Sequence, residues 1–305
     1  MALSNTFTNT DPELIVQSVL PAFTAGLTPV SAFSTNYAAE AAQKGASIQV
    51  PVITAKTANT SSFTTYEDGN TTVVGTQVIL NVHARSFSGI TDVEAGKTAM
   101  EIEMAAAREN AYAVGLSVYQ TVIGNIVAGT FGDTANTSKL VVTAANFNLD
   151  SVAQAVTFLK KRNARGDISL IMDLDYAGYF MQDNQVQNAS ALGSDEMVRQ
   201  GAVGRILGVN VYETNAFPTA LTNENTGAMV VVPSALAIAV RPVVPQSAAS
   251  QAGVEFATAT DPATGLTLGY RRFYNSATGQ QWAGFEVLFG VTAVQAAGAV
   301  RIVSA

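Results

Sequence analysis

The chain of 305 residues has no cysteine, one histidine, one tryptophan and few charges. Without cysteine there are no disulfides, no thiol nucleophile and no Cys-ligated metal. His83 is the single histidine, so a His-dependent triad or a His metal site would have to use it. It stands on the polar side of an alternating segment, with Arg85 on the same side, a setting that suits a solvated or contact-forming imidazole. Charged residues make up 13% of the chain, about half the usual share of roughly 25%. Repeated subunit contacts would account for so few charges, and an Ala-, Thr- and Gly-rich composition lowers the share by itself. The formal net charge of −7 argues against a DNA-reading surface, which is normally basic. No apolar run approaches the ~20 residues needed to cross a bilayer. Residues 1–6 lack the basic start and apolar core of a signal peptide, so synthesis in the cytosol and no membrane partner are expected.

What is present is most informative over residues 42–149. A turn at Lys44-Gly45 opens an extended segment, Ala46-Ser47-Ile48-Gln49-Val50-Pro51-Val52. After a polar tip over residues 57–75 the chain returns as Gln77-Val78-Ile79-Leu80-Asn81-Val82-His83-Ala84-Arg85. Val78, Leu80, Val82 and Ala84 fall on one side and Gln77, Asn81, His83 and Arg85 on the other, the period of a strand with one covered face. Two strands joined by a polar tip are too thin to bury a core alone, so the hairpin is expected to lie on a neighbouring subunit. A long Ala-rich helix follows from Asp92 to about residue 128. Met100, Met104, Ala107, Ala111, Val114 and Val118 form its stripe, and Gly115 marks a possible bend.

Thr10-Asp11-Pro12-Glu13 reads as a helix start, and Pro21 as a kink or an end to that helix. Asn148 caps a helix over residues 151–163, and Ile168-Ser169-Leu170-Ile171-Met172 is a buried strand. Residues 208–213, 228–232, 238–241, 266–274, 281–289 and 298–303 read as further strands. The whole is an α+β chain, with no internal repeat. Four parts are expected: an N-terminal arm over 1–45, an extended loop over 46–90, a long helix with its surrounding domain over 91–147 to which 286–305 return, and a mixed domain over 148–285.

Asp173-Leu174-Asp175 after an apolar strand looks like the first motif of haloacid-dehalogenase-type phosphotransferases, whose acids bind Mg²⁺. Tyr176-Ala177 stand where Gly-Thr or Thr-Val is usual, and no matching lysine and paired-acid site follows. Two acids at a helix start are the simpler reading. Arg165-Gly166-Asp167 matches an adhesion tripeptide but reads as a turn before a strand. There is no P-loop, and Gly201, Gly204 and Gly208 lack dinucleotide-binding spacing. Arg271-Arg272-Phe273-Tyr274 mixes cations and aromatics as a nucleic-acid strand can, and in an acidic chain fits a strand touching a neighbour. No catalytic residue, cofactor or metal ligand is assigned, and no enzyme activity is expected.

The order of elements resembles the major capsid protein of tailed bacteriophages, the Hong Kong 97-type fold, over most of the chain. Asp11-Pro12-Glu13-Leu14-Ile15 is similar to that family's N-terminal arm helix. Residues 44–52 resemble the entry to its extended loop, and the helix from Asp92 resembles its spine helix. Gly208-Val209-Asn210-Val211-Tyr212-Glu213-Thr214-Asn215-Ala216-Phe217-Pro218 resembles the strand before its Asn-x-Leu-Pro-type turn. The resemblance implies an axial domain over 148–285 and a peripheral domain around the spine helix. It also implies a virion shell of pentamers and hexamers enclosing DNA without sequence-specific binding. A separate scaffolding protein, a portal and a decoration protein are the implied partners, since no long scaffolding segment fits here. Ser117-Val118-Tyr119 stand where an acid is common late in the spine helix. Lys56 lies in the extended loop, without independent evidence for covalent cross-linking. A weakly acidic inner wall is compatible with containing a polyanion. Subunit contacts are expected from Ile48, Val50, Val52, Val78, Leu80, Val82, His83, Arg85, Arg271 and Arg272, and hinges at Gly45, Gly89 and Gly129. An encapsulin-like compartment on the same fold, or a Mg-dependent phosphotransferase using Asp173 and Asp175, are the alternatives.

Overall fold

The computed structural model describes residues 12–33, 47–53, 73–92, 100–187, 205–215, 217, 225–244 and 253–304. Two sheets organise them. The larger is mixed and six-stranded: β4 (Lys139–Val141), β13 (Ala299–Ser304), β8 (Asn225–Val231), β5 (Ser169–Asp173), β7 (Val209–Thr214) and β6 (Arg205–Ile206), in that spatial order. β5 and β7 run parallel, as do β13 and β4. Leu170, Ile171 and Met172 are fully buried in succession, because both faces of β5 are covered. Leu170 and Met172 meet α3 (Leu149–Lys161) and α4 (Leu174–Gln182) through Val152, Leu159 and Phe180. Ile171 and Met229 turn the other way, into the main core with Val118 of the long helix α2 (Met100–Gly124).

Local chemistry sets the ends of α3. The Asn148 side chain accepts from the Ser151 backbone N–H at 2.9 Å, as expected of the cap. Asp150 in the first turn and Lys160 and Lys161 in the last complement the helix dipole. The Arg162 guanidinium then donates to the carbonyls of Phe131, Ala296 and Ala299, pinning the helix end to the C-terminal segment.

The second sheet is antiparallel: β10 (Val254–Thr260), β11 (Thr267–Asn275), β12 (Gln280–Ala293) and β3 (Val82–Thr91), with β9 (Leu236–Arg241) pairing the far end of β12. Helix α1 (Pro12–Leu27) and α2 lie on one face, where Val16, Val19, Phe23, Val114 and Val118 meet Ala84, Tyr270, Phe285, Val287 and Phe289. α1 continues through Pro21, so the proline does not end the helix. Burial of Val16, Val19, Phe23 and Leu27 on one stripe outweighs the single backbone bond that proline removes. Gly115 serves close approach between helices: a Cβ there would stand 2.8 Å from the Phe23 carbonyl oxygen and 3.4 Å from Gly26. α2 is about 37 Å long at 1.5 Å per residue. Residues 93–99, in its expected first turns, lie outside the described residues, whereas Asp92 is tied to the β11–β12 end by Tyr274 Oη at 2.7 Å.

The expected domain boundary at residue 285 does not follow the sheets. β10, β11 and the first part of β12 share a sheet with β3, while β13 joins β5 and β8 in the other. β12 is one unbroken strand of 14 residues across that boundary. Strand alternation carries no information about which sheet a strand joins, so local patterning could not place the division.

Candidate functional site

The site of interest is the face of the antiparallel sheet away from the helices. β1 (Ser47–Ile53) and β2 (Val73–Ile79) form an antiparallel ribbon, with Val52 opposite Val74 and Ile48 opposite Val78. The chain leaves β2 at Leu80-Asn81 and enters the sheet as β3. Ile48, Val50, Val78 and Leu80 are buried against Ala237, Ala239, Leu288 and Val294 of the same chain. This corrects the expectation that the ribbon's apolar side needs a neighbouring copy: at its root the ribbon lies on β9 and the end of β12. Glycine makes that crossing possible, since a Cβ on Gly290 would fall 2.0 Å from the Ile79 carbonyl oxygen. Each such buried side chain contributes roughly 1.5–3 kcal/mol. Val82 is half-buried against the main core.

Further along the same face the ladder registers bring together residues distant in sequence. Arg85 is opposite Glu286, Phe87 opposite Gly284, and Gly89 opposite Trp282. On the other side of β12, Arg271 is opposite Gly284 and Phe273 opposite Trp282. Period two therefore puts His83, Arg85, Phe87, Gly89, Arg271, Phe273, Trp282 and Glu286 on one face, and Ala84, Tyr270 and Phe285 on the helix-covered one. The Glu286 carboxylate is the electrostatic centre. Its side chain is 3% exposed, with His83 Nε2 at 2.9 Å from Oε2 and Arg271 Nη2 at 2.7 Å from Oε1. Arg271 also donates to the Val243 carbonyl at 3.2 Å. A carboxylate so buried is tolerated only when paired, and a cation with an imidazole provides the pairing. Phe87 and Phe273 stand 6.4 Å apart, tilted, and both are half-buried, as is Trp282. Arg85 is exposed.

Arg272 parts company with Arg271. Next in the strand, it points to the helix side, toward Glu255 at 3.6 Å and the Gln281 side-chain oxygen, at the edge of a cavity of about 90 Å³ lined by Met104, Asn110 and Tyr270. The two arginines thus do not make one contact site. Gly89 lies within the β3–β12 ladder, where its missing side chain leaves room for the Trp282 ring, about 3.0 Å from where a Cβ would be. That is a packing role, unlike the expected hinge. Gly129 sits in a helical turn (Ala128–Phe131) with open space around its Cβ position. Gly45, Lys56 and the Val52 side chain lie outside the described residues.

Asp173 ends β5 and precedes α4 without a side-chain capping bond. Among the described residues, no group of three or more His, Asp or Glu side chains could hold a metal ion. The hydroxyl of the nearby Tyr119 is buried, and burial raises its pKa far above the ordinary value. Arg165, Gly166 and Asp167 form an exposed turn. No helix among the described residues is long and apolar enough to cross a membrane.

Sequence reasoning missed Glu286, Trp282 and Phe87. A signal for Glu286 existed: it is the one acid in Ala283-Gly284-Phe285-Glu286-Val287-Leu288-Phe289, an otherwise apolar strand. Its partners could not be read, because they come from two other strands.

No protein-family model matches the sequence, and no curated protein does. Comparison with solved structures finds whole-length likeness. The capsid of a native GTA particle, solved with C5 symmetry, matches at 15% identity and a TM-score of 0.60, over 92% of this chain and 90% of that one. A Mycobacterium phage Che8 structure matches at 14% identity and 0.59, over 90% and 89%. A virus-like particle from Pyrococcus furiosus matches at 12% identity and 0.52, over 96% and 98%. The chain has the α+β Hong Kong 97-type capsid fold.

Proposed function

We propose that this chain is a major capsid protein of a tailed phage, assembling with copies of itself as pentamers and hexamers into an icosahedral shell around double-stranded DNA. The observation that carries the reading is the extent of the fold likeness to the GTA particle capsid, which leaves little of either chain unmatched. The open sheet face fits the same reading. It presents half-buried aromatics beside the Arg271 guanidinium, residue types enriched at contact surfaces. A contact worth about 4 kcal/mol corresponds to millimolar affinity, so many weak contacts joined by closure hold a shell while letting errors dissociate.

In this reading His83, Arg85 and Arg271 belong to the contact face. Ile48, Val50, Val78 and Leu80 seat the root of the extended loop on its own body. The two sheets, rather than a boundary at residue 285, divide peripheral from axial units. Scaffolding, portal and decoration proteins are separate chains, and the protein ends in the virion. The chain acts by assembly and not by catalysis.

Negative-stain microscopy of the full-length protein, expressed alone and with its genomic neighbours, tests this. Closed shells of uniform size are the expected result. A protein that stays monomeric in both settings overturns it. Shells carrying an enzyme cargo and no nucleic acid would move the assignment to an encapsulin-like compartment. A phosphatase activity lost in Asp173→Asn, with no particles, would favour the phosphotransferase.

A further inference from the structure

Most cations among the described residues are held by a partner within the chain. Lys139 and Arg301 share Asp133, Arg271 holds Glu286, Arg272 faces Glu255, and Arg162 is spent on three carbonyls. Lys160, Lys161 and Arg165 differ. All three are exposed, they fall within six residues of each other at the end of α3, and none has a carboxylate or carbonyl partner among the described residues. The segments packed against this turn do not compensate them. Arg162 ties it to Phe131, Ala296 and Ala299, and Gly166 lies against Pro233 and Val232. The two short 3-10 turns there, Pro233–Ala235 and Ala296–Gly298, contain no acid. Asp167 is the one carboxylate in the turn, and Asp150 is at the far end of α3, about 17 Å away along the axis.

Two lysines would satisfy the helix dipole. Arg165 lies past the helix end, in a turn shaped by the positive φ of Asn163 and Gly166, and does nothing for that dipole. An uncompensated cationic patch on a chain of net charge −7 calls for an anionic partner. Its exposed surroundings, Gln154, Thr157, Asn163 and Gly166, are polar or small, and the depression beside Lys161, lined also by Asp150, Ala153 and Phe158, is shallow and open to solvent. A polymer presenting regularly spaced charge and nothing else fits them best.

We infer that Lys160, Lys161 and Arg165 form a contact for the phosphate backbone of nucleic acid, independent of base sequence. This rests on the shell reading and deepens it. One three-cation contact per copy holds a polyphosphate lightly, and the acidic remainder of the chain keeps it mobile.

The test is fluorescence anisotropy of a fluorescein-labelled 20-base-pair duplex with the full-length protein in 25–300 mM NaCl. Three released counterions predict a slope of about −2.7 for log affinity against log salt. The K160Q/K161Q/R165Q variant should flatten that slope and weaken binding at least about tenfold at 50 mM salt. R108Q/R205Q, which removes exposed cations elsewhere, should leave both unchanged. An unchanged slope in the triple variant, or an equal loss in R108Q/R205Q, overturns the assignment. So does poly-glutamate that outcompetes the duplex at equal charge, which would mean an acidic protein partner. Thermal melting checks that the triple variant folds. Microscopy separates this inference from its premise: shells that form normally but show no salt-dependent duplex binding sink the patch alone, and absence of wild-type shells sinks the capsid reading.

Discussion

The six-stranded sheet and the antiparallel sheet treat their faces differently. β5, β8 and β13 are buried on both sides, by α3 and α4 on one and by the main core with α2 on the other, so that sheet is complete within one chain. β3, β11 and β12 bury one side under α1 and α2 and leave the other half-covered, with the ribbon root at one end and the Glu286 cluster with its aromatics at the other. The same strand chemistry thus yields a self-sufficient core in one place and a surface with work left to do in another. The difference lies in how many layers the chain itself supplies.

Four substitutions sharpen or break this comparison. The largest effect is expected from Glu286→Ala, which strands Arg271 and His83 beside a buried void. Breaking a buried pair costs about 3–5 kcal/mol, read as a fall in denaturation midpoint. A loss below about 1 kcal/mol would mean the cluster is hydrated and the face is not organised around it. Leu170→Ala in the completed sheet should cost about 2–5 kcal/mol by cavity formation, and it should lower assembly only as far as it lowers folding. Val50→Ala is expected to cost about 1–2 kcal/mol in the isolated subunit, because the ribbon root is already seated at home. No change in subunit stability, with assembly lost, would restore the view that the ribbon is buried only by a neighbour.

The smallest effect concerns acid. Lys139 hydrogen-bonds the Asp133 carboxylate, with Arg301 adding to it, and holds its pKa below the ordinary carboxylate value. A depressed folded-state pKa means its contribution is fully present above the unfolded value and is lost as pH falls through the folded one. Asp133→Asn should therefore narrow the stability gap between wild type and variant only below about pH 4. A gap that persists unchanged to pH 2 would contradict the pairing.

The sheet residues explain what was legible beforehand and what was not. Alternation in 77–85 correctly separates Val78, Leu80 and Ala84 from His83 and Arg85, since period two is a local property of the backbone. Reading Arg271 and Arg272 as one contact ignored that same period. The Asn148 cap and the stripe of Ala111, Val114 and Val118 were readable because capping and helical spacing act within a few residues. β10 carried too weak a pattern to be foreseen, and the β12 bridge across the expected boundary depends on pairing between strands roughly 200 residues apart.

The sequence by itself determined which segments become helices and strands, which side of each is apolar, and that neither thiol nor paired-histidine chemistry is available. The tertiary structure decided who covers whom. It laid the ribbon root on its own β9, drew His83 and Arg271 to Glu286, and left Lys160, Lys161 and Arg165 without a carboxylate or carbonyl partner among the described residues. Local propensity acts over a few residues, whereas burial and charge pairing depend on where distant strands come to rest.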